Sequence, residues 1–418
     1  MMKMMTKKMS ILALGICTVF GLAACNDSSQ DQQSSIQPSD TRDQRFLNAK
    51  AGDVIEVEIA DLIPTQGAIG YDQIYYKLGR WQGDWNRPTW QSDASSQLTY
   101  LNKTIGKKFS DYCETIGAKG RDDFTTLQQL KAATLSQINS FGCSEQPGTE
   151  LADLKTVVVG YDGRLYLTDG HHTMTQLREL PDGGASLKVW VRVVENDSNL
   201  KTADAFWNKM VTDGRVWLRN GQNQPILYTQ LPQNLGLKSV SNPNGMEESQ
   251  HRSLMYFLRD IGYSKPEKAT DFLEFLWQDW FENQAKLGLV KPLSFYHLDP
   301  KQYAVSDVLA STTLNKDLTL SGSATSYTAA VANYAVLMGT TSPQTLIYQN
   351  YTAADLGALA LVKNADKGSV TANALSTFDE LNRNEVKKDG TPRTGGSLWY
   401  AINYRSCGKP ASGTCWGW

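Results

Sequence analysis

Apolar and polar residues alternate along Val54-Ile55-Glu56-Val57-Glu58-Ile59, the two-residue period of a half-buried strand. Tyr71, Ile74, Tyr75 and Leu78 then recur at the spacing of one helix face, and Thr126–Ile138 (TLQQLKAATLSQI) predicts a further helix. Lys155–Gly160 is a β-branched run of buried-strand type. Asp162-Gly163 is a hairpin turn, and Arg164–Thr168 is the returning strand. Asp169-Gly170-His171-His172 opens a helix predicted over Thr173–Leu180, and Ser186–Val194 is another strand. Residues 247–287 predict mainly helix, with Glu247-Glu248 at a solvated helix start. Beyond Pro300 the chain is rich in Ala, Thr, Ser and Gly, with short helices expected at Tyr327–Met338 and Ala353–Val362. Strands in a hairpin–loop–helix–strand unit, followed by segregated helices, predict an α+β fold.

The first residues change the picture. Lys3, Lys7 and Lys8 form a basic start, and Ile11–Phe20 is an apolar run too short to span a bilayer. Leu22-Ala23-Ala24-Cys25 follows, the pattern of a bacterial lipobox. The expectation is a signal peptide over 1–24, acylation of Cys25, and a membrane held through that lipid. Residues 25–50, rich in Ser, Gln and Asp, form a tether that buries too little surface to fold. The expected location is the cell envelope, on the periplasmic or surface side, with Asn26 favouring the outer membrane by analogy.

The remaining length divides, as expected from composition, into a domain at 51–215, a helical annex at 216–300 and an extension at 301–418. A net charge of −2 argues against constitutive DNA binding, which calls for a basic excess. With Cys25 acylated, Cys113, Cys143, Cys407 and Cys415 remain, and an oxidising compartment predicts two disulfides. Cys407 and Cys415 flank a turn-like segment and are paired on that ground, leaving Cys113 with Cys143. Other pairings stay open. No CxxC or HxxxH spacing suggests zinc.

The candidate chemistry lies at Asp169-Gly170-His171-His172, where a strand yields to a helix. Backbone N–H groups at a helix start favour an anion. Gly170 permits a tight turn, Asp169 can cap the helix or orient a histidine, and His171 or His172 can donate to phosphate or move a proton. Adjacent histidines diverge by about 100° on a helix, so one of them is expected to be structural. Trp81, Trp85 and Trp90 read as packing residues, and Glu274 as a buried support for Arg252.

The run Val159–His172 resembles the central box of the ParB/sulfiredoxin superfamily, and more closely its ParB-like nuclease branch. Leu62-Ile63-Pro64-Thr65-Gln66 with Ile69-Gly70-Tyr71 and Lys77 resembles the opening segment of that branch. Val189–Val194, Phe206-Trp207, His251-Arg252-Ser253-Leu254 and Glu274-Phe275-Leu276-Trp277 with Asp279 follow in the same order. The resemblance spans roughly 53–287. It implies a compact α+β domain handling phosphate or nucleotide groups, with Asp169, Gly170, His171, His172 and Thr173 at the site and Pro64, Thr65, Gln66 and Lys77 beside it. Thr173 stands where nucleotide-binding relatives carry Arg, and the box lacks the reactive cysteine of sulfiredoxin.

Two functions follow as expectations. One is a nuclease or phosphoesterase in which His171, His172 and Asp169 are catalytic and a divalent metal assists, although the sequence shows no ligand set. The other is an envelope binding or interaction protein that keeps the fold without catalysis. A nucleoside triphosphate pool is absent outside the cytoplasm, so a kinase or nucleotide-driven clamp is not expected. Protein partners and the standing of nucleic acid as a ligand are left open.

Overall fold

The computed structural model describes residues 40–82, 85 and 94–407. The expected signal peptide, Cys25, residues 26–39 of the tether, Trp90 and Cys415 lie outside the described residues, and the end of the expected tether is folded instead: Phe46 and Ala49 pack against the core, and Asp43 N–H donates to the Asp162 carbonyl.

Strand β1 (Val54–Glu58) leads into β2 (Leu62–Pro64), β3 (Ala68–Ile69) and α1 (Tyr71–Arg80). Helices α2 (Ala94–Lys103), α3 (Ile105–Thr115) and α4 (Leu127–Ala132) precede β4 (Lys155–Val159), β5 (Leu165–Leu167), α5 (His171–Glu179) and β6 (Lys188–Asn196). The sheet runs β1-β6-β4-β5-β2 and is mixed. β4 pairs antiparallel with β5 across the Asp162-Gly163 turn and parallel with β6, while β2 joins β5 in parallel.

Side-chain alternation builds a core on each face of this sheet. Val157, Val159, Val189, Val191 and Val193 point to one face, against α1, α3 and α5, and each is fully buried. Val158 and Tyr166 point to the other, where α6 (Ala203–Thr212) supplies Phe206, Trp207 and Met210. A disulfide between Cys113 of α3 and Cys143, with Cα atoms 5.5 Å apart, ties the segment between α3 and β4 to this core.

The second core is helical. β7 (Glu247–Glu248), α7 (Gln250–Leu258), α8 (Leu273–Lys286) and α9 (Val305–Val308) lead to the hairpin β8 (Thr312–Leu314) and β9 (Leu320–Gly322). Then come α10 (Tyr327–Thr340), β10 (Leu346–Tyr348), β11 (Tyr351–Thr352), α11 (Val370–Glu380) and α12 (Ser397–Cys407). α10 carries apolar or small residues over most of its circumference because it is buried there, with only the strip through Asn333, Val336, Leu337 and Thr340 less than fully buried. This core draws on residues from Leu254 to Ile402, so one apolar interior serves the segments expected as annex and extension.

Three local expectations are corrected. The helix predicted over 126–138 stops at Ala132, because Ala133 is extended and the next amides are drawn to side chains: Thr134 N–H donates to Ser140 Oγ and Leu135 N–H to Asp182. Ala353–Val362 is a series of turns, closed by a bridge between Tyr263 and Ala358. Glu247-Glu248 is a strand, paired in parallel with Ala68-Ile69.

The last helix lies on the first. Gly79 of α1 permits this, since a Cβ there would sit 2.8 Å from the Tyr400 carbonyl oxygen of α12. Arg405, near the end of α12, donates to Asp72 Oδ1 at 2.9 Å and to both carboxylate oxygens of Glu248, and its Nε lies 3.3 Å from Asp299. Tyr327 Oη of α10 donates to the other Asp72 oxygen at 3.0 Å. Arg405→Met leaves three carboxylates facing one another in a buried site. The expected loss is about 3–5 kcal/mol of stability, read as a lower urea midpoint; an unchanged midpoint would show that the cluster is not structural.

Candidate functional site

Gly170 makes the turn from β5 into α5. Its φ is +95°, and a Cβ would collide with the Lys155 side chain at 2.4 Å, so both conformation and space select glycine. The helix begins at His171, two residues before the predicted start, and no side chain caps it. The first-turn amides therefore open toward a cleft of about 500 Å³.

Both histidines line that cleft, and both also hold the opening segment in place. His171 Nε2 accepts from Thr65 N–H and His172 Nε2 accepts from Gly70 N–H, each at 3.0 Å. Burial drives the His171 ring down to about 4, with the Asp169 carboxylate pulling the other way. Burial first, then the charges of Arg252 and His171, hold His172 well below its ordinary value. At neutral pH each ring is uncharged. With Nε2 accepting, its proton sits on Nδ1 and what remains to offer is an N–H donor.

The other candidates separate into layers. Asp169, Gly170, Thr173 and Gln66 line the cleft with the histidines. Gln66 Nε2 is held by the Ala68 carbonyl. Pro64 and Thr65 lie beneath, where Thr65 Oγ1 donates to the Leu167 carbonyl. Lys77 lies in an adjoining cavity of about 330 Å³, 2.7 Å from Asp111, and that cavity shares Gln73, Lys155, Thr173 and Arg259 with the first. Trp81 also lines it and is otherwise buried, as its packing role predicts.

Sequence reasoning did not assign Lys155, Arg259, Lys265, Asp271 or Phe272 to the site, and it read Arg252 only as a motif and support residue. All of them line the cleft. Arg252 projects from the first turn of α7, donates to Gln73 and lies 3.4 Å from Glu274, which also lines the cleft. Burial and the nearby Asp169 raise the Asp271 carboxyl. Lys155 opens β4, and the others come from the start and end of α7, the 259–272 loop and the start of α8. Only the Arg-Ser-Leu run and the Glu274 helix carried a sequence signal for that wall. Among the described residues, no group of three or more His, Cys, Asp or Glu is placed to hold a metal ion.

The family described as "Putative ParB-like nuclease" matches residues 55–283, a span that contains every cleft residue named above. No curated protein matches the chain. Among solved structures, protein Atu1540 from Agrobacterium tumefaciens is 20% identical, with 56% of this chain and 80% of that chain covered and a TM-score of 0.32.

The low histidine values fix a pH dependence. Above about 6.5 the rings are neutral in both folded and unfolded chains. Below it the unfolded chain takes up protons that folded His171 refuses until about pH 4. Stability is therefore expected to fall as pH drops through this window, by about 1.4 kcal/mol per pH unit for one such ring. His171→Gln keeps an acceptor near Nε2 and removes the titration. Urea unfolding at pH 7.5, 6 and 5 should show a shallower slope for the variant; an equal slope would rule out this origin.

Proposed function

This chain belongs to the ParB-like nuclease family, and from that premise we propose that its cleft at Asp169–Thr173 binds a phosphate-bearing ligand, a phosphoester or a nucleic-acid end, and hydrolyses it. The observation that carries this reading is the uncapped start of α5 facing Lys155, Arg252, Arg259 and Lys265 in one cleft. An anion there would meet backbone N–H groups and several cations at once. Arg252 and Arg259 would supply from α7 and its end the guanidinium that Thr173 lacks. His171 and His172 would offer Nδ1–H donors to a phosphate oxygen. Asp169 and Asp271 are the carboxylates available to accept a proton from an attacking water.

A second reading has its own observation. Both histidine Nε2 atoms are spent on backbone amides and both rings are neutral. That arrangement suits binding without turnover, in an envelope protein that keeps the fold. The full-length protein should bind a short single-stranded oligonucleotide, and Lys155→Ala with Arg259→Ala should weaken binding at least tenfold with the thermal midpoint kept. If wild type also cleaves the oligonucleotide, with or without added divalent metal, and Asp169→Asn abolishes cleavage, the first reading stands. Binding without cleavage selects the second. No binding removes both.

We further propose that the chain is exported and lipid-anchored through Cys25, on the strength of Lys3, Lys7, Lys8, the Ile11–Phe20 run and Leu22-Ala23-Ala24-Cys25. Among the described residues, no helix is long and apolar enough to cross a membrane. Full-length protein should fractionate with membranes and take up labelled palmitate. Cys25→Ala should lose the label; retention of label would exclude acylation at this cysteine.

A further inference from the structure

Phe272 occupies a position that its residue type opposes. It is the N-cap of α8, where Ser, Thr, Asp, Asn or Gly is favoured, and it offers no side-chain cap. Its backbone is left-handed, with φ 59° and ψ 19°, a conformation costly for a bulky side chain. Among the described residues, seven non-glycines have positive φ, and Phe272 is the aromatic one. A residue that breaks two local rules together marks strain retained for another reason.

The ring's surroundings supply that reason. Phe272 is partly buried and lines the cleft that also holds Gly170, His171 and His172. It leans on Trp217, with centroids 6.0 Å apart and planes at 30°, and on Phe275, with centroids 6.4 Å apart. Trp217 and Phe275 are themselves stacked at 5.4 Å. A rigid aromatic wall therefore backs the ring. The same cleft is lined by the start of α5, which has no side-chain cap. A site with an anion-binding end and a backed aromatic face matches a phosphate joined to a planar ring.

We propose that Phe272 is the specificity-determining residue of the cleft, stacking on the base of a nucleotide whose phosphate lies at the start of α5. This rests on the phosphate-binding reading above and narrows its ligand from any phosphoester to a nucleotide unit. Lys155, Arg252 and the α5 amides hold the phosphate whatever it carries, and Phe272 rewards the base.

Isothermal titration of the full-length protein with 5′-AMP and with ribose 5-phosphate separates the two contributions. Wild type should bind 5′-AMP about tenfold or more tightly than ribose 5-phosphate. Phe272→Leu keeps apolar bulk against Trp217 but lacks a π face, and should bind both equally, at the wild-type ribose 5-phosphate affinity. Phe272→Asn suits the left-handed N-cap, so its thermal midpoint should equal or exceed wild type while the 5′-AMP advantage is lost. Phe272→Tyr should retain the advantage. Equal affinity of wild type for the two ligands, or an equal loss of both in Phe272→Leu, overturns the role of Phe272 and leaves the phosphate site standing. Failure of wild type to bind either ligand overturns both.

Discussion

The guanidinium of Arg405 sits where five parts of the chain meet. It is paired with Asp72 at the start of α1, with Glu248 in β7 and with Asp299 before α9, and Tyr327 of α10 donates to the same Asp72. Burial works against charge there, and the three carboxylates keep the guanidinium charged. A buried cation surrounded in this way is worth less for net stability than for uniqueness, since few other arrangements satisfy all its donors. It fixes the placement of α1 against β7 and α7. The cleft inherits that placement, because Gln73 and Arg252 are parts of the same two helices and are bonded to each other.

The histidine pair does comparable work on the sheet side. By accepting from Thr65 and Gly70, the start of α5 is held against the strand that feeds α1. The cleft walls are therefore joined at two levels, through ring nitrogens behind the site and through Arg252, Gln73 and Glu274 at its side. Such support keeps the donors aimed without reorganisation when an anion arrives.

Much of this was legible in the chain. The β-branched run at Lys155–Gly160, the Asp-Gly turn and the alternation in Ser186–Val194 specified β4, β5 and β6 because period and turn chemistry agree. The pairing of Cys113 with Cys143 was reached only by elimination, once Cys407 and Cys415 were paired for their nearness, and other pairings had stayed open. The glycine before the histidines marked the helix start to within two residues. The far wall was not legible: residues 259–272 have no apolar period, and a loop takes its course from what it packs on. Glu247-Glu248 is too short for a period to exist and is a strand only through Ala68-Ile69. Nor can residue type say which ring nitrogen a histidine commits, so the sequence predicted one structural histidine of the two and did not show that both Nε2 atoms accept from backbone amides.

The contact of α12 with α1 joins segments more than three hundred residues apart in sequence. Loop closure on that scale is entropically slow, and its reward arrives only when the last helix exists. During synthesis the chain must carry an uncovered α1 and a half-built Asp72 site until α12 has been made. Its native state is thus gated by the appearance of α12, and the exposed interval is one in which chaperones and proteases have access to a long, unfinished core.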